Sequence, residues 1–97
     1  MALGFLSRTP KEISKLEQEI IAAKVALGVA SKFDETRQRN TIQTAKTSLQ
    51  QAAATAARAG HGEAARAAIE KRSSPPADPV GSAAWPEVMA AGLKELE

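Results

Sequence analysis

The sequence predicts an all-α fold built on an antiparallel helical hairpin, and three observations carry that expectation. The apolar residues Ile13, Leu16, Ile20, Ala23, Leu27 and Ala30 recur at alternating steps of three and four, as do Ile42, Ala45, Leu49, Ala52, Ala56 and Ala59. Each set therefore lies on one face of a helix. Only Ser31, Lys32, Phe33 and Asp34 separate the two, and Asp34 suits a new helix start because its carboxylate can accept the first unpaired backbone N–H groups. Of the 42 apolar residues, 21 are alanine, the strongest helix former.

Folding the chain back near Phe33 sets Ile13 beside Ala56, Leu16 beside Ala52, Ile20 beside Leu49, Ala23 beside Ala45 and Leu27 beside Ile42. Large side chains meet mostly small ones, which allows two helices to interdigitate closely. The competing arrangement is a single helix of about fifty residues, since no Gly or Pro lies between Lys32 and Ala59. It leaves the long apolar stripe nothing to pack against, so the hairpin is favoured.

Helix 1 is expected over residues 10–32, opened by a capping Thr9, Pro10 at the first helical position and Glu12 completing a capping box. Toward its end Ile21, Val25 and Val29 widen the apolar stripe beyond one seam. They imply a second contact surface, covered either by the C-terminal tail or by Phe5 and Leu6, or serving as a homo-oligomer interface with a dimer as first choice. Helix 2 is expected over residues 35–59. Its polar face lacks any acidic residue from position 36 to 62, and Arg39, Gln43, Lys46 and Gln50 share one side of it. Arg37, Arg39, Lys46 and Arg58 are the candidates for contact with phosphates or an acidic partner, although four cations without stacking aromatics make a thin nucleic-acid footprint.

Gly60, His61 and Gly62 interrupt the pattern, and a short third helix follows over residues 62–72. Residues 73–84, with Pro75, Pro76 and Pro79, read as a linker. Trp85, Pro86 and Glu87 then open the last expected helix, over residues 86–95, with Trp85, Met89 and Leu93 along one stripe. The division is thus 1–72, 73–84 and 85–97. The last segment is expected to act as a strap over Ile21, Val25, Val29 and Ile69 rather than as an anchor for a partner groove, because a chain this poor in large apolar groups needs its only Trp inside.

Catalytic chemistry is not legible. There is no cysteine and one histidine, so thiolate sites are excluded and a zinc site built from this chain alone is improbable. No phosphate-cradling glycine loop, zinc-binding His-Glu helix or calcium loop is present, and no cofactor is expected. The run at positions 20–30 contains Lys24 and falls well short of the roughly twenty residues that span a bilayer. No membrane association is expected, and a cytoplasmic location is the default. The net charge of +2 is uneven: residues 36–72 hold seven basic and two acidic groups, residues 73–97 one basic and four acidic. The expected function is that of a small non-catalytic protein–protein interaction module, an adaptor, inhibitor or assembly factor that acts by occupying a surface. The alternative is a nucleic-acid-associated accessory protein using the basic face of residues 36–72.

Overall fold

The chain reverses at residues 32–34, so the hairpin is adopted and the single long helix is not. The computed structural model describes residues 10–30 and 32–97, which form four helices: α1 (Lys11–Ala30), α2 (Glu35–Arg58), α3 (Gly62–Lys71) and α4 (Pro79–Lys94). Asp34 is the N-cap of α2, its carboxylate accepting the Arg37 N–H at 2.8 Å. Thr9 lies outside the described residues; at the start of α1 the Pro10 carbonyl accepts the N–H groups of Ile13 and Ser14, both at 3.0 Å.

The seam matches the periodicity closely. All six apolar residues expected on the inner face of α1 are buried, and so are Ala45, Leu49, Ala52 and Ala56 of α2. Leu16, Ile20, Leu27 and Leu49 are fully covered, each contributing roughly 1.5–3 kcal/mol by leaving water. Two positions depart from the seam. Ile42 is only partly covered, and Ala59 is exposed because it is the C-cap, where the helix is already ending.

That ending is a Schellman arrangement: the Gly60 N–H donates to the Ala57 carbonyl at 3.0 Å and the His61 N–H to the Ala56 carbonyl at 2.9 Å. Gly60 has φ +87°, a left-handed conformation that costs a side-chain-bearing residue about 1–2 kcal/mol. The chain thereby swings α3 back across the hairpin, burying Ala65, Ala68 and Ile69. A forked ion pair ties its end to α1, with the Arg72 guanidinium donating to Glu17 Oε2 at 2.7 and 3.2 Å.

The fourth helix corrects the sequence reading. It begins at Pro79 rather than near Pro86, so the linker expected over residues 73–84 is confined to 73–78. The reason is local: Asp78 caps the helix, accepting the Val80 N–H at 3.3 Å, and Pro79 occupies the first turn, where its missing N–H is no loss. Pro86, expected to open the helix, sits inside it on the exposed side. An interior proline costs on the order of 3 kcal/mol; burial of Trp85, Val88 and Met89 on the other side of the helix offsets it. The helix lies across the hairpin, with Gly81 against Leu27 and Gly92 against Leu49 and Ile69.

Candidate functional site

Because the seam directs Leu16, Ile20, Ala23 and Leu27 inward, helical geometry turns Ile21, Val25 and Val29 outward. They are 52%, 62% and 51% exposed, and Phe33 in the turn is 43% exposed. Ala22 and Ala26 are exposed as well, so the outer side of α1 is an apolar strip. Such a strip is not ordinary solvent surface for a chain with so few large apolar groups.

The strap expectation divides here. Trp85 is 1% exposed, its indole N–H donates to the Ser73 carbonyl at 3.0 Å, and the Lys24 ammonium stands 5.3 Å from the ring centroid. Met89 is buried and Leu93 half-buried against the core. α4 therefore covers Ile69 and one side of the hairpin seam, but not Ile21, Val25 or Val29, which belong to the back of α1. Of the six apolar residues that the sequence singles out as candidates for an oligomer or partner interface, Ile21, Val25 and Val29 are on the surface, Leu93 is half-buried, and Trp85 and Met89 are inside the chain's own core. Phe5 and Leu6 lie outside the described residues.

On the side of the hairpin away from α4, a groove runs between α1 and α2 as three adjoining hollows. The polar end, about 450 Å³, is bordered by Glu12, Lys15, Glu19 and Arg58. The middle, about 350 Å³, lies among Ala22, Ala26, Thr41 and Thr44. The turn end, about 330 Å³, lies among Ala26, Val29, Phe33 and Arg37, with the Arg37 guanidinium 4.3 Å from the centre of the Phe33 ring.

The four candidate phosphate contacts are not gathered into one surface. Arg37 and Arg58 border opposite ends of the groove, nearly the length of α2 or about 30 Å apart. Arg39 pairs with Glu35 at 3.4 Å, both largely exposed, a contact of little stabilising value. Lys46 is turned to the other side, reaching Glu87 of α4 at 3.0 Å. His61 stands at the start of α3 with its Nε2 3.9 Å from Glu12, a pair that is ionic only when the imidazole is protonated. Among the described residues no three His, Asp or Glu side chains converge as a metal site would require, and no helix is long and apolar enough to cross a membrane.

No protein-family model, curated protein or solved structure matches the chain.

Three features of this surface escaped sequence reasoning. Lys24 reads as a solvated cation and Lys46 as a candidate phosphate contact, yet one lies over Trp85 and the other reaches Glu87 of α4. Ala53 was outside the expected seam, yet it is fully buried. Only the start of α4 had a local signal, since Asp78 followed by Pro79 repeats the arrangement of Thr9 and Pro10.

Proposed function

We propose that the protein is a small non-catalytic interaction module that acts by occupying a surface, and that the outer side of α1 is the face it presents. The observation that supports this reading is the exposed strip of Ile21, Val25 and Val29, continuous with Ala22, Ala26 and the apolar half of the groove. Burying such a strip is worth roughly 25 cal/mol per Å², and its three residues are, with Phe33, the exposed large apolar side chains among the described residues. A homo-oligomer, with a dimer as the first choice, is the simplest arrangement that covers it. A cytoplasmic setting and roles as adaptor, inhibitor or assembly factor belong to the same reading.

Sedimentation of the full chain at tens of micromolar is expected to give a mass above that of the monomer, and Val25→Asp is expected to return it to the monomer. Because Val25 is 62% exposed, the aspartate leaves the fold intact, as circular dichroism would verify, while a buried unpaired carboxylate would be costly in an interface. A clean monomer for the unsubstituted chain removes the homo-oligomer and leaves the strip to a different protein.

No observation favours the nucleic-acid reading. With Lys46 drawn to Glu87 and Arg37 distant from Arg58, duplex or single-stranded DNA is expected not to bind at physiological salt. Micromolar binding that falls steeply with salt and disappears in Arg39→Glu with Lys46→Glu would reverse that expectation.

A further inference from the structure

We propose that the groove between α1 and α2 is filled by the chain's own residues 1–6, with Phe5, Leu3 and Met1 turned into it. This concerns the groove and not the outer strip of Ile21 and Val25, so it stands or falls separately from the interaction reading. Residues 1–9 are outside the described part of the chain and join it at Pro10, beside the polar end of the groove. The occupant is therefore tethered where the groove begins. Thr9 precedes a proline, a position that disfavours helical backbone, so the chain leaves the line of α1 there.

Length fixes the register. A segment turning back at Thr9 advances about 3.3 Å per residue when extended, against about 1.5 Å per residue along α1. On that scale Arg8 comes level with Glu12, Phe5 with Glu19, Leu3 with Ala23, and Met1 between Ala26 and Val29. Glu19 and Ala23 border the middle hollow of about 350 Å³, and Ala26 and Val29 the turn-end hollow of about 330 Å³. The apolar residues of the segment thus reach the apolar part of the groove, while Ser7, Arg8 and Thr9 stay beside its polar end.

Side-chain alternation agrees with that register. Extended backbone sends successive side chains to opposite sides, so Met1, Leu3 and Phe5 share one side and Ala2, Gly4 and Leu6 the other. The walls that the first set meets are Ala22, Ala26, Thr41 and Thr44, short side chains that leave room for large ones. Charge does not select the register: Glu12 and Glu19 already face Lys15 and Arg58 at the polar end, with His61 3.9 Å from Glu12. Arg8 is accommodated there rather than required. A free partner with the same apolar alternation is at a disadvantage, because a short tether holds the chain's own segment at an effective concentration on the order of millimolar.

The chain contains no cysteine, so introduced thiols report position directly. A disulfide requires Cα atoms within about 7 Å. In the full chain under mild oxidation, Leu3→Cys is expected to close an intrachain disulfide with Ala22→Cys and not with Val25→Cys, which lies on the outer strip. In a second measurement Ala22→Cys alone is labelled with a soluble maleimide. Labelling is expected to run about tenfold faster once Leu3→Asp and Phe5→Asp are added, as for a groove occupied nine-tenths of the time and then vacated. Ala22 is exposed and outside the hairpin seam, so the fold survives these changes, as circular dichroism would verify. Equal labelling rates mean an open groove and overturn the proposal. A disulfide to Val25→Cys in preference to Ala22→Cys puts the segment over the outer strip and overturns it as well. A disulfide that joins two chains makes the occupant another copy's segment, which also overturns it.

Discussion

Trp85→Ala is expected to cost about 3–5 kcal/mol of stability, the upper range for truncating a buried side chain to alanine. The ring is 1% exposed and is the largest fully buried side chain, so alanine leaves a void that neighbouring alanines cannot collapse into. The hydrogen bond from its indole N–H adds little to the loss, because Ser73 is exposed and its carbonyl regains water. The Lys24 ammonium over the ring contributes on the order of 0.5–1 kcal/mol. At about 4–8 °C per kcal/mol for a domain of this size, the midpoint of thermal unfolding falls by at least about 12 °C. Before any substitution, Trp85 emission is expected to be blue-shifted and poorly quenched by acrylamide. Red, freely quenched emission from the folded protein would mean that α4 is not docked on the hairpin in solution.

Leu49→Ala is expected to cost about 2–5 kcal/mol, and its cost depends on residue 92. Leu49 is fully buried where α2 meets α4, and a Cβ added at Gly92 would come within 3.1 Å of Leu49 Cδ2 and 3.2 Å of Ile69 Cδ1. In the unsubstituted protein Gly92→Ala therefore forces two covered methyl groups to shift, which offsets the gain of about 1 kcal/mol from replacing a helical glycine. Once Leu49 is alanine, the same methyl group enters the vacated space. The pair is thus expected to be less destabilising than the sum of the two single substitutions by at least about 0.5 kcal/mol in chemical denaturation. Strict additivity would show that α4 does not approach α2 through Gly92.

The first three helices, the seam and the turn are legible in the chain, because they follow from local chemistry, whereas the start expected for α4 falls seven residues too late. Residues at steps of three and four must share a face, Asp34 must present its carboxylate to the first N–H groups of α2, and a glycine at position 60 can end a helix in a left-handed conformation that alanine resists. The sequence also singled out Ile21, Val25 and Val29 as surplus to that seam. The tertiary structure alone decided what covers what. Where α4 lands depends on the close approach at Gly92, on Lys46 reaching Glu87 and on the Trp85 ring finding the Ser73 carbonyl, contacts between residues far apart in the chain that no periodicity encodes. The same docking turns Lys46 away from Arg37 and Arg58, dispersing a set of cations that looks collected in one dimension. It places Trp85 and Met89 inside while the back of α1 stays bare, since a single short helix has only one side to bury and the face of the hairpin away from that strip takes it.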